Sequence, residues 1–88
     1  MQIEFDPAKD EANREKHGLS LALAELFDLE AALLAIDERH DYDEERFVAL
    51  GPLGDRLHVM VFTVRDESIR VISLRKANRR EVKKYDEA

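Results

Sequence analysis

The chain has 88 residues, no cysteine, and 14 Lys and Arg against 20 Asp and Glu, for a formal net charge of -6. That length supports one modest core, so residues 1-88 read as a single domain, and the lack of thiols excludes disulfides, thiolate metal sites and cysteine chemistry. No basic leader followed by an apolar stretch opens the chain, and no apolar run reaches the length of a membrane span, so a cytoplasmic protein with no membrane association is expected.

Gln2 to Phe5 alternates apolar Ile3 and Phe5 with polar neighbours and predicts a short strand stopped by Asp6-Pro7. Asp6 is suited to cap a helix and Pro7 to occupy its first position; the helix is expected to run to about His17, with Gly18 taking the left-handed conformation beyond it. It is unusually polar: Ala8 and Ala12 are its clear apolar contributions, with Asn13 and Lys16 close to the same face. Ser20 opens a second helix, in which Leu23, Leu26 and Phe27 have the spacing of a core-facing stripe. Leu33 to Asp37 reads as a strand, with helix extension as the alternative.

From Glu45 onward the pattern is RFVALG, a turn at PLGD, RLHVMVFTVR, a turn at DES, and IRVISLRKA, which predicts an antiparallel meander of three strands. Both faces of the middle strand are largely apolar, which makes it central. In the last strand, strict alternation sets Ile69, Val71, Ser73 and Arg75 on one face and Arg70, Ile72, Leu74 and Lys76 on the other. The tail ANRREVKKYDEA reads as a short charged helix anchored by Val82. The fold class is α+β: an N-terminal strand and two helices packed on a twisted antiparallel sheet, with a C-terminal helix.

Charge is divided along the chain. Residues 1 to 45 hold 14 acids and 4 bases, a balance of -10, whereas residues 46 to 88 hold 6 acids and 10 bases, a balance of +4. Within 65 to 84 there are 8 bases against 3 acids. A local excess of that size attracts a polyanion within a Debye length, despite the acidic total.

FDPAK at 5 to 9, N-x-x-K-H-G at 13 to 18, D-x-R-H at 37 to 40, E-x-F at 45 to 47, VMVFTVR with IRVIS-x-RKA across 59 to 77, and R-R-E-x-x-x-Y at 79 to 85 together resemble the BrnT family of toxins from bacterial type II toxin-antitoxin modules. The chain departs from the family pattern at Leu74, where alanine is commoner, and in its acidic first half. The resemblance implies a RelE-like fold and a ribonuclease that inhibits translation. It also implies a hetero-oligomer with a BrnA-like ribbon-helix-helix antitoxin, through which operator DNA is contacted only indirectly.

Metal-free RNA cleavage needs a base for the 2′-hydroxyl proton, an acid for the leaving oxygen and cations for the added charge. Arg75 and Arg65 are catalytic candidates because a guanidinium binds two phosphate oxygens at once. In a hairpin centred on Glu67, Arg65 falls beside Ile69 and on the order of 20 Å from Arg75, so the two are separate points in a groove. Lys16, Arg79, Arg80 and Lys83 are candidate RNA-binding cations.

For proton transfer, His40 in a polar loop, Glu81 and Tyr85 are the candidates, with orienting an arginine as the other functional role for Glu81. Each has a plain structural reading too: a solvated loop, an ion pair with Lys84, and a ring packing the last helix on the sheet. His17 stands equally as a helix-terminal cap or as a functional group, and His58 reads as a semi-buried sheet residue. No spacing of ligands suggests a metal site, and no cofactor is called for. The competing class is a non-catalytic module whose basic C-terminal surface engages an acidic partner protein.

Overall fold

The computed structural model describes residues 2–38 and 44–88. Five strands, β1 (Gln2–Glu4), β2 (Leu33–Ile36), β3 (Phe47–Leu53), β4 (Arg56–Arg65) and β5 (Ser68–Lys76), form one sheet in the order β1-β5-β4-β3-β2. Helix α1 (Pro7–His17) and a 3-10 helix (Leu21–Leu26) precede β2, and helix α2 (Arg79–Asp86) follows β5. The meander β3-β4-β5 is antiparallel as the sequence predicts, but β1 joins β5 in parallel, so the sheet is mixed.

One sheet face carries the main core. Ala49, Met60, Phe62, Val71 and Leu74 meet Leu21, Ala24 and Phe27 from the 3-10 helix, and Met60 and Leu74 are fully buried. The second helix therefore differs from the expected α-helical stripe. At three residues per turn, positions 21, 24 and 27 align on one side, which buries them and leaves Leu26 66% exposed. On the opposite face Leu50, Val59 and Ala77 form a smaller cluster with Leu33, Leu57 and Tyr85. There α2 is seated by Tyr85 rather than Val82, which is 37% exposed.

Turns follow residue chemistry. The β3-β4 connection is only Gly54-Asp55, with Gly54 at φ 66, so Pro52 and Leu53, expected in the PLGD turn, continue the strand instead. Asp66 opens the β4-β5 turn at φ 50, a left-handed value that aspartate tolerates better than most side chains. This two-residue turn pairs Arg65 with Ser68, one position from the expected Ile69.

The alternation in β5 also breaks. Val61 pairs with Ser73 but Phe62 pairs with Val71, leaving Ile72 as the extra residue of a β-bulge. Beyond the bulge the side-chain parity reverses, so Ile69 and Val71 join Leu74 in the main core while Ser73 and Arg75 share the other face with Val59 and Val61. This corrects the grouping of Ile69 and Val71 with Arg75.

Candidate active site

An open cleft of about 520 Å³ lies on the sheet face that carries Ser73 and Arg75. Ala35, Val48, Val59 and Val61 give it an apolar floor; Lys16, His17, Arg75 and Glu81 stand on one side, and Asp37 and Glu38 on the other. Arg75 is level with Val59, Leu50 and Leu33 across the sheet, three strand spacings or roughly 14 Å from wall to wall.

The cationic wall is assembled from two distant segments. Asp6 caps α1 by accepting from the Ala8 N–H at 2.8 Å, Pro7 fits the first turn, and Gly18 at φ 73 ends the helix with its N–H donating to the Arg14 carbonyl. Asn13, not the exposed Ala8 and Ala12, is the residue α1 buries. Lys16 and His17 lie three and four positions later, one helical turn further on. Against them the β5 bulge presents Arg75. Burial is the main cause holding the His17 imidazole below its ordinary pKa, and the charges of Lys16 and then Arg75 add to it. His17 is thus biased towards the neutral form that accepts a proton.

Arg75 donates through both terminal nitrogens to Glu81, 2.8 Å to Oε1 and 2.7 Å to Oε2, and to the Lys76 carbonyl at 3.3 Å. Glu81 also closes a capping box, accepting from the Asn78 N–H while the Asn78 side chain accepts from the Glu81 N–H, both at 2.9 Å. The fold of α2 is thereby tied to the orientation of the guanidinium. The hydrogen bonds from Arg75 chiefly keep the Glu81 carboxyl below its usual pKa, which makes it a weak base and a firm anchor.

The other sequence-derived candidates spread away from this point. Arg65 ends β4 six residues beyond Val59, the partner of Arg75, and pairs with Glu44 at 2.6 Å. Arg79, Arg80 and Lys83 are exposed on α2, and Arg80 and Lys83 border a separate shallow groove with Leu33, Lys84 and Glu87. His40 lies outside the described residues. His58 is buried, with Nδ1 2.9 Å from the Arg56 carbonyl oxygen.

Tyr85 donates its hydroxyl to the Ala31 carbonyl at 2.7 Å, latching α2 to the segment before β2. Tyr85→Phe should therefore lower stability by about 1 kcal/mol, read by denaturant titration, while leaving the cleft chemistry unchanged. A large loss of activity in a stable Tyr85→Phe protein would instead place the hydroxyl in the reaction.

Nothing in the sequence singles out Ser73, Asp37 or Glu38 as cleft residues, and His17 stands there between two roles. For His17 a signal existed: Asn13, Lys16 and His17 stand at i, i+3 and i+4, the spacing of one helix face.

A family model described as ribonuclease toxin, BrnT, of type II toxin-antitoxin system matches residues 5–81. The crystal structure of the Brucella abortus ribonuclease toxin, BrnT, is 29% identical in sequence and superposes with a TM-score of 0.69, covering 90% of this chain and 99% of that one. No curated protein matches. With the family's sequence pattern running through the elements that build the cleft, and a related toxin sharing the same chain path, this protein belongs to the BrnT family of ribonuclease toxins of type II toxin-antitoxin systems.

Proposed function

We propose that the chain cleaves RNA without a metal ion, through attack of a 2′-hydroxyl on the adjacent phosphorus, and so stops translation until a BrnA-like ribbon-helix-helix antitoxin neutralises it. The observation that carries this reading is the convergence of Lys16, His17 and Arg75 on one apolar-floored cleft. Neutral His17 takes the proton of the 2′-hydroxyl, and O2′ attacks phosphorus. Arg75, its fork oriented by Glu81, stabilises the charge that builds on the non-bridging oxygens. The P–O5′ bond then breaks and the leaving oxygen takes a proton from Lys16 or from solvent, giving a 2′,3′-cyclic phosphate and a 5′-hydroxyl end. Fixed cations at this spot supply the charge stabilisation that a divalent ion provides in other nucleases. Arg79, Arg80 and Lys83 extend the positive surface along α2 and hold the flanking backbone.

Purified protein should cleave single-stranded RNA in excess chelator; activity lost on chelation and restored by a divalent metal would refute the metal-free course. Expression of the chain alone should arrest bacterial growth, and coexpression of the antitoxin should relieve it. In the double variant Arg79→Ala, Arg80→Ala, both changes lie on an exposed helix face, so stability should move by under about 0.5 kcal/mol. RNA affinity should fall, and its dependence on log salt should flatten by about 1.4 units if each arginine neutralises one phosphate of a single strand. An unchanged salt slope would remove both from the RNA path.

A further inference from the structure

We propose that Asn13 is the positioning residue of the cleft: its carboxamide stands in for a neighbouring strand along β5 and thereby sets where α1 carries His17 relative to Arg75. The inference rests on the ribonuclease reading above for its catalytic consequence, but not for its geometry.

Among the described residues, β1 covers β5 only at Ser68, Ile69 and Arg70. Further along, the outer edge of β5 faces α1, and the N–H and C=O of Leu74 would be left without a strand to pair with. Asn13 Oδ1 accepts from the Leu74 N–H at 3.1 Å and Nδ2 donates to the Leu74 carbonyl at 2.9 Å, which reproduces the two-bond exchange of an antiparallel residue pair. The same Nδ2 donates to the Leu19 carbonyl at 2.9 Å, holding the chain just past the helix end. A carboxamide is suited to this because it offers a donor and an acceptor side by side, as a peptide group does. Nothing in helix propensity favours asparagine here, since mid-helix it ranks well below alanine.

The clamp sits next to the chemistry on both segments that it joins. Leu74 precedes Arg75, and Asn13 is one turn before His17. Apolar packing does little of this work, because Ala8 and Ala12 face solvent. Asp10 fixes a different junction, accepting from the Ser20 hydroxyl and the Leu21 N–H at the start of the 3-10 helix. The carboxamide is therefore the link that registers the C-terminal turn of α1 against β5.

The charged groups around His17 are Lys16 on its own helix, Arg75 with its bound Glu81 on β5 and α2, and Asp37 and Glu38 on the far wall. If the clamp is cut, the helix end moves outwards, His17 gains hydration and separates from Arg75, and the two largest constraints from outside α1 on its protonation relax. Its titration midpoint then rises towards the ordinary imidazole value.

The experiment uses the full chain with Asn13→Ala, Asn13→Gln and Asn13→Asp. His17 is titrated by NMR in the absence of RNA, and kcat and KM are measured against pH with a short single-stranded oligoribonucleotide. In Asn13→Ala, kcat should fall by about 10²-fold, the cost of a misplacement near 1 Å, with KM little changed because Lys16, Arg75 and the α2 cations remain. The His17 midpoint and the acid limb of the rate profile should rise together. Asn13→Gln, which keeps the carboxamide on a longer stem, should recover part of the rate. Asn13→Asp, which keeps the acceptor but sets a carboxylate oxygen against the Leu19 and Leu74 carbonyls, should fall to the alanine rate or below, and Asn13→Gln, with its partial loss, serves if alanine does not fold.

A folded Asn13→Ala or Asn13→Asp protein, or Asn13→Gln where alanine does not fold, with parental kcat and an unmoved His17 midpoint overturns the proposal. If His17 moves as expected but the parent does not cleave RNA, the positioning stands and the ribonuclease reading fails.

Discussion

Arg75→Ala is expected to slow RNA cleavage by about 10²- to 10³-fold, the range seen when a direct stabiliser of developing charge is removed. Lysine at the same position should restore little of this, because an ammonium keeps the charge but not the planar fork that Glu81 orients. Stability should change far less. The two side chains are 36% and 23% exposed, so water screens the pair, and its loss should cost no more than about 1 kcal/mol.

The pH dependence has a definite sign. Glu81 is held below its usual 4.5, so the pair stabilises the fold fully above that value, and the contribution disappears as falling pH protonates the carboxylate. The melting temperature of Arg75→Ala should consequently fall less steeply in acid than that of the parent. Single-turnover cleavage and melting curves between neutral and acid pH read both effects, and a fully active Arg75→Ala enzyme would move the catalytic centre elsewhere.

Gly51→Ala is expected to destabilise the fold by about 1–3 kcal/mol, the cost of overpacking a filled site. A Cβ at this position would lie 2.7 Å from the Ala32 Cβ, 3.0 Å from the Ala32 Cα and 3.2 Å from the Phe27 ring. Its absence lets the segment between the 3-10 helix and β2 lie directly on β3. That segment is pinned by the Asp28 N–H donating to the Pro52 carbonyl and by the Phe27–Leu53 bridge, and it carries the Ala31 carbonyl that receives Tyr85. Adding Ala32→Gly should recover part of the loss, since it removes the Cβ contact but leaves the Cα in place. Parental melting in Gly51→Ala would show that the segment yields freely, and then it could not hold α2.

Most of the architecture was legible because its signals are local. Asp6-Pro7 and Gly18 mark both ends of α1 through capping, and the largely apolar runs of β3 and β4, rich in β-branched residues, identify the central strands without tertiary information. Distant contacts defeated the rest. Leu26 looks like a core residue until the helix proves to be 3-10, and Ile69 and Val71 seem to share a face with Arg75 until the bulge reverses them. Arg75 and Lys16 were legible as cations. Their meeting in one cleft was not, because it depends on a carboxamide reaching 61 residues along the chain to Leu74. Two partners were open for Glu81, an arginine to orient or Lys84; the guanidinium it grips is that of Arg75 on the preceding strand.

The bulge at Ile72 has a bearing on which changes in chain length this fold survives. β5 serves two masters, feeding Ile69 and Val71 into the interior and holding Arg75 out to the cleft, and one surplus residue reconciles them. Excising Ile72 would let Val71 and Ser73 face Phe62 and Val61 as consecutive residues, leaving Leu74 on the core face and Arg75 on the cleft face, whereas an added residue that did not itself bulge would turn Arg75 away from the cleft. Insertions at the exposed Asp66-Glu67 turn lie outside this constraint and should be absorbed as a longer loop. Among natural variants of this chain, insertions should therefore collect at that turn and be purged between Val71 and Arg75, where one extra residue would turn the guanidinium of the toxin inward.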